Sequence, residues 1–291
     1  MNLLIGSVVV IVCVLGGFMA HGGQLLAIWQ PYEVVIICGA AIGAFVIANP
    51  RATVMKVLKA VPAMMKGPRY GRAHYVELLR FMYALFTKAR KDGMLAIEAD
   101  IDDPENSALF QAYPGVLSDH HAVTFIRDYM RLIISGDMDA FQLENLMDIE
   151  LESHHHEVSE PGHAVNRVAD ALPGFGIVAA VLGIVNTMGA LGGPIEEIGK
   201  MVAAALVGSF LGILLAYGFV GPLATALTRQ GEEETQYFST IKTCILASLR
   251  GYAPKVAVEF GRKAIPQELR PQFEELEEEL KGAPATAPAV A

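Results

Sequence analysis

The chain has 291 residues, 53% hydrophobic and only 18% charged, with a formal net charge of −9 and a positive mean hydropathy. A water-soluble protein of this size carries about a quarter charged residues, so this balance excludes an ordinary soluble domain. The apolar residues are also concentrated. No Asp, Glu, Lys or Arg precedes Glu33, and none lies between Glu33 and Arg51, between Asp170 and Glu196, or from Met201 to Thr228.

A membrane-spanning helix needs roughly 20 mostly apolar residues. Four stretches meet that requirement: 2–20, 33–49, 171–192 and 201–226. The first lacks the basic start of a signal peptide and is followed closely by a second apolar segment, so it reads as a span. The sequence therefore predicts an all-α membrane protein of two helical hairpins. Residues 1–50 hold the first two spans, 51–170 form a large helical domain, and 171–228 hold the last two spans. A helical tail at 229–281 and a disordered Ala/Pro-rich end at 282–291 follow.

Residues 51–66 alternate basic side chains with Val54, Val57, Leu58 and Val61 on one side. That suits either a helix lying along the inner leaflet or ordinary basic flanking of a span. Helical periodicity returns over 75–91 and 118–150. Between them, "FTKARKDGMLAIEADIDDPE" (86–105) sets Lys88, Arg90 and Lys91 before a glycine break. Glu98, Asp100, Asp102, Asp103 and Glu105 follow it. This is either a solvated surface with weak local ion pairs or a docking surface for a complementary charged partner. "ESHHHE" (152–157) looks like a metal site, but consecutive helical residues point 100° apart. His154, His155 and His156 cannot converge on one ion and read as a solvent-exposed run.

Over 173–187, Pro173, Gly176, Ala180, Gly183 and Thr187 fall on one narrow face of an ideal helix. In the fourth span Ala204, Gly208, Gly212 and Ala216 recur every fourth residue, with Ser209 beside them. Small stripes allow close backbone approach, either between helices of one chain or around a partner's helix. Pro173 and Pro222 each remove a helical hydrogen bond, which makes them a candidate hinge pair. Gly174, Gly176 and Ala179 match G-x-G-x-x-A, but a dinucleotide fingerprint needs a preceding strand, and here the context is a membrane helix. Beyond them, "FEELEEELK" predicts a short acidic amphipathic helix. Cys13, Cys38 and Cys244 show no pairing pattern.

Lys and Arg set the expected orientation. Thirteen lie in 51–170, one at Lys200 and eight after residue 228. The positive-inside rule puts 51–170 and both termini in the cytoplasm. No Asp, Glu, Lys, Arg or His sits in the middle of any span, where proton relays normally place one. A conducting role would need a titratable group from another chain, and an intramembrane enzyme would lack catalytic residues. No catalytic residue, cofactor, metal or nucleic acid is expected.

The blocks "LPGFGIVAAVLGIV", "ALVGSFLGILLAYGFVGPLA" and "GYAPKVAVEFGRK" resemble the MotA family of flagellar stator proteins. "QPYEVVIICGAAIGAFV" and "YMRLIISGDMDAF" extend the resemblance over nearly the whole chain. It implies a proton-conducting stator subunit in the bacterial inner membrane, arranged as a pentamer around MotB-type single-span partners that supply the ion-binding aspartate. It also implies torque exerted on the rotor protein FliG. Arg90 and Glu98 match the family's rotor-contacting charges, and Pro173 and Pro222 its two functional prolines. Gly176, Ala180, Ser209 and Tyr217 would face the ion path and the partner helix. Ala180 stands where sodium-driven relatives carry threonine, which implies protons. The alternatives are a TolQ/ExbB-type energiser, whose members have one span ahead of the cytoplasmic domain, and a passive membrane scaffold.

Overall fold

The structure, a computed structural model, describes residues 2–64, 67 and 69–281. The Ala/Pro-rich segment 282–291, expected to be disordered, lies outside the described residues. Among those described, the regular elements are all helical.

The first helix, α1 (Asn2–Ala20), carries no charge and stops where Gly22 takes a φ of 87°. A single turn, α2 (Leu25–Ile28), leads to α3 (Pro31–Ala48). Pro31 opens α3 at a position where a missing N–H costs nothing, and Glu33 lies in its first turn, near the positive end of the helix dipole. Next comes α4 (Arg51–Met64). Then α5 (Arg72–Asp92) runs until Gly93, at φ 91°, turns the chain into a 3₁₀ turn at Met94–Ile97. Three short helices follow: α6 (Glu98–Asp102), α7 (Ala108–Gln111) and α8 (Pro114–Leu117). The Ser107 hydroxyl accepts from the Leu109 and Phe110 N–H groups to start α7. The Asp119 carboxylate caps α9 (His120–Ser135) in the same way.

The periodic stretch 118–150 is not one helix: left-handed Gly136 ends α9, and a new helix begins at Ala140. That helix, α10 (Ala140–Gly189), runs for 50 residues through Pro161 and Pro173, so the third apolar segment is only its last part. After it come α11 (Ile195–Leu215), a π-turn at Ala216–Val220 and α12 (Gly221–Leu249). The chain closes with α13 (Pro254–Ala264) and α14 (Phe273–Lys281). Four helical stretches, Leu3–Ala20, Leu25–Ala48, Ala140–Gly189 and Ile195–Leu249, are long and apolar enough to cross a membrane.

The chain divides into two compact units. One comprises Met1–Gly67 with Val158–Gln230, the other Pro68–Glu157 with Gly231–Ala291. In the first, α3 packs on α10 and on the segment leading into the π-turn through buried Ile37, Ala41, Leu172, Ala179 and Ala216. A second cluster joins α4 to α10 and α12 through Val57, Ala164, Val165, Ala224 and Leu227. The apolar side of α4 is rotated from its sequence expectation. Thr53 and Val57 are buried, whereas Leu58 is 62% exposed and shares the outer face with Met55 and Lys59. Thr53 turns inward because its hydroxyl donates to Glu160 Oε1 at 2.8 Å.

The second unit has a conventional aromatic and aliphatic core. Leu78, Leu79, Phe81, Met82 and Leu85 of α5 meet Phe125 and Ile126 of α9 and Phe238, Ile241 and Ile245 of α12. Cys244 is fully buried there, and burial pushes its thiol pKa up to about 12, so it behaves as an inert filler. Helix α14 adds Leu276 and Leu280 to the same core.

Candidate functional site

Within the first unit, α10 and the α11–α12 segment run antiparallel with almost no side chains between them. A Cβ at Gly176 would lie 2.9 Å from the Gly208 carbonyl oxygen and 3.0 Å from Gly212 Cα. One at Gly212 would lie 2.7 Å from the Leu172 carbonyl oxygen, and one at Gly183 would meet Ala205 Cβ at 2.8 Å. At the far end, a Cβ at Gly162 would strike Thr228, 2.7 Å from its backbone N. Gly162, Ala169, Gly176 and Gly183 recur every seven residues, the period that keeps one seam facing a neighbouring helix. In lipid such contacts are held by packing and not by hydrophobic exclusion, so backbone proximity is the source of the adhesion. The small stripe therefore meets this chain's own α11. Gly176 and Ala180 are buried in that contact.

Next to this seam the backbone changes period. The Gly221 N–H donates to the Ala216 carbonyl, five residues back, which defines the π-turn. Pro222 follows at once. In an α-helix its ring would collide with the Gly218 carbonyl, and a wider turn relieves that clash. The turn sends Ala216 fully inward and leaves Tyr217 74% exposed. At Gly218 an added Cβ would come 3.2 Å from Val10 of α1, so α1 rests against the turn. Ser209 is half-buried beside the seam and Pro222 is exposed. Pro173 is half-buried and leaves the carbonyl of buried Ala169 without its usual helical donor.

Two polar groups in this unit escaped the sequence reading. Arg167 Nη2 donates to Asn49 Oδ1 at 2.8 Å, and Asn49 Nδ2 donates to the Phe45 carbonyl at 2.7 Å, closing the C-terminal end of α3 onto α10. Glu33 has a buried carboxylate oxygen with no partner among the described residues. Neither was visible beforehand, because a lone Asn or Glu at a helix end reads as flanking polarity.

In the second unit the charged hairpin divides into two sets. Lys88 Nζ lies 2.6 Å from Asp100 Oδ2, and the Ser107 hydroxyl donates to Asp100 Oδ1 at 2.7 Å. Arg131 pairs with Asp102 at 2.6 Å. These groups hold the turn together. Arg90, Lys91 and Glu98 are exposed, and Arg90 and Glu98 make no ion pair among the described residues. They stand on either side of Gly93 and the exposed Leu95.

The histidine run is exposed only at His156. His154 stacks on Phe238, ring centroids 4.8 Å apart, with Nε2 3.6 Å from Glu234. Desolvation lowers its pKa from the ordinary 6.5, against the opposing pull of Glu234. His155 Nδ1 lies 3.4 Å from the Thr235 hydroxyl. Among the described residues no three His, Cys, Asp or Glu side chains are grouped to hold a metal ion.

Comparison with known proteins gives a consistent result. Residues 4–93 match the profile described as Motility protein A N-terminal, and 118–240 match the MotA/TolQ/ExbB proton channel family. Motility protein A of Salmonella typhimurium is 46% identical over 281 residues, covering 97% of this chain and 95% of that protein. The protein of the same name from Escherichia coli K12 gives the same identity and coverage. Chemotaxis protein LafT of Vibrio parahaemolyticus is 39% identical over 96% of this chain and 98% of its own length. Among solved structures, C. jejuni MotAB aligns with a TM-score of 0.76 at 19% identity, covering 94% of this chain and all of that one. The flagellar MotAB stator complex from Bacillus subtilis aligns with a TM-score of 0.71 at 24% identity, covering 91% and 96%. At these identities the structural likeness speaks for the fold.

Proposed function

This chain belongs to the motility protein A family, and on that premise we propose that it is the multi-span subunit of a bacterial flagellar stator, coupling proton flow to torque. The 46% identity along 97% of the chain carries the reading. The N-terminal match over 4–93 also favours it over a TolQ/ExbB-type energiser, since the shared channel profile covers only 118–240.

The geometry supports a division of labour. With no ionisable side chain in the middle of a span, this subunit shapes the path, and a MotB-type partner carries the aspartate that takes the proton. Copies of the chain form a ring, a pentamer in this reading, in the cytoplasmic membrane. Both termini and residues 51–170 face the cytoplasm. Tyr217 and Ser209 lie nearest the partner helix, whereas Gly176 and Ala180 act behind them by setting how closely α10 and α11 approach. Pro173 and Pro222 flank that seam as the flexible points. Arg90 and Glu98, exposed and unpaired, meet complementary charges on the rotor protein FliG, where such contacts govern specificity and encounter rate.

The test is charge reversal. Arg90→Glu and Glu98→Lys each reduce swimming while leaving membrane levels and partner pull-down unchanged, and a reciprocal swap on FliG restores motion. Reversals that lower protein levels as much as motility would make these residues structural. Liposomes holding this chain alone show no proton leak above controls, and a robust leak would place the carrier in this subunit.

A further inference from the structure

Helix α4 carries a face that its own unit leaves uncovered. Arg51, Met55, Leu58, Lys59 and Pro62 recur at three- and four-residue steps, so they form one exposed stripe along the helix. Met55 is 52% exposed and Leu58 62%. The opposite face is committed. Val57 packs with Ala164 and Val165 of α10 and with Ala224 and Leu227 of α12, and Thr53 bonds Glu160. The helix therefore cannot roll to bury the stripe.

That packing also sets the depth of α4. Ala164 and Val165 precede Asp170, after which α10 is charge-free to its end. Ala224 and Leu227 precede Arg229, where the charge-free stretch of α11 and α12 stops. Helix α4 thus lies against the boundary between the spanning and the charged segments, which is the level of lipid headgroups. Just ahead of it, at the end of α3, Val46 and Ile47 are exposed as well.

Charge decides what covers the stripe. No Asp or Glu lies between Glu33 and Glu77, whereas Arg51, Lys56, Lys59, Lys66, Arg69 and Arg72 do, in a chain of net charge −9. Arg51 and Lys59, on the stripe itself, make no ion pair among the described residues. At 1.5 Å per residue they stand about 12 Å apart along the axis, with Met55 and Leu58 between them. Long basic side chains can lie along apolar surface and raise their charged ends to phosphates, so this face matches acyl chains capped by anionic headgroups.

We propose that α4 is an in-plane helix that binds anionic phospholipid: Met55 and Leu58 enter the acyl boundary, and Arg51 and Lys59 hold headgroup phosphates. This goes beyond the stator reading and stands without it, since it needs only α4 at the membrane edge.

The chain has a single tryptophan, Trp29, so Trp29→Phe combined with Leu58→Trp leaves one fluorescent reporter on the stripe. The full chain is reconstituted in vesicles of equal parts phosphatidylcholine and phosphatidylglycerol, with the acyl chains of one lipid or the other brominated. Bromine quenches only at short range, so quenching reports lipid contact. A basic side chain near the surface favours anionic lipid about fivefold, so brominated phosphatidylglycerol quenches at least about twofold more strongly than brominated phosphatidylcholine. Adding Arg51→Gln and Lys59→Gln makes the two lipids quench equally, whereas Lys91→Gln on the second unit leaves the preference intact. Absence of quenching by either lipid would put the stripe in water or against another copy of the chain, and overturns the proposal. Equal quenching with Arg51 and Lys59 in place, or a preference that survives their replacement, overturns it too.

Discussion

Gly174 and Gly176 sit two residues apart on α10, yet alanine at each should have opposite consequences. A Cβ at Gly174 meets nothing within 4 Å. There, alanine removes only the conformational freedom of glycine in the unfolded chain, a gain of about 0.5–1 kcal/mol in a helix interior. At Gly176 the same methyl lands 2.9 Å from the Gly208 carbonyl oxygen and 3.0 Å from Gly212 Cα. Both obstacles are backbone, so no rotamer can yield and the helices must separate. Overpacking of this kind costs about 1–3 kcal/mol. The helix-propensity gain is common to the two variants, so the difference between them, about 1–3 kcal/mol, isolates the clash. Gly212→Ala, 2.7 Å from the Leu172 carbonyl oxygen, should match Gly176→Ala. Gly208→Ala, whose nearest neighbour is the Ala179 methyl at 3.1 Å, should be milder. The assay is thermal unfolding of the isolated chain in detergent, repeated on the complex with its single-span partner. Equal stabilities of Gly174→Ala and Gly176→Ala in the isolated chain would refute the seam as an intrachain contact. A penalty appearing only in the complex would return the stripe to the partner.

Further expectations can be checked in the same system. Pro173→Ala restores the hydrogen bond to the Ala169 carbonyl and should raise thermal stability, since an interior proline costs a helix about 3 kcal/mol, while slowing rotation of tethered cells; normal speed would show that the proline is merely tolerated. Ala180→Leu fills the buried seam and should lower the membrane level of the chain itself, read by immunoblot without the partner. Lys88→Met strips a cation from buried Asp100 and should cost about 1–3 kcal/mol in chemical unfolding, whereas Arg90→Met should stay within about 0.5 kcal/mol. His154 has a folded-state pKa below its unfolded 6.5, so the unfolded chain binds more protons as pH falls through that value, and stability falls with it. His154→Asn should flatten the loss of stability between pH 7.5 and 5.5; an unchanged pH slope would assign it to other groups.

The spans were legible because a charge-free run of 17 or more residues admits few other structures. The small face of α10 at Gly176, Ala180 and Gly183 was equally plain, but its partner was not: a face of small residues announces a close neighbour without naming it. Gly208 and Gly212 supplied a matching stripe on α11, and their antiparallel pairing with Gly176 needed coordinates. The π-turn was hidden as well. Gly218, Gly221 and Pro222 mark a weak stretch of helix, but sequence does not say whether it kinks, breaks or widens. At the hairpin, Lys88 and Arg90 look alike in sequence, and only the fold separates a lysine 2.6 Å from a buried aspartate from an arginine left in solvent. The histidine run misled because consecutive positions were given one environment. A helix rotates 100° per residue, so His154 can stack on Phe238 while His156 remains exposed.

One proton crossing about 150 mV releases roughly 3.5 kcal/mol, which limits what it can move. A seam of interlocked large side chains is costly to shift, because each knob must leave its hole and lose dozens of dispersion contacts. The α10–α11 seam has no such knobs. At Gly176, Gly208 and Gly212 backbone lies on backbone, and sliding trades one set of shallow contacts for another of similar depth. Pro173 sits beside the seam on α10, and the π-turn and Pro222 follow it toward α12, so both strands of the pair have a point where the hydrogen-bond ladder is already broken. A displacement there breaks no regular helical bond. The large aromatic core of the second unit offers nothing comparable, since Phe81, Phe125 and Phe238 are locked by ring contacts on several sides. A few kcal/mol can therefore be converted to motion in the first unit and cannot be absorbed by repacking the second, which is what a stator subunit requires.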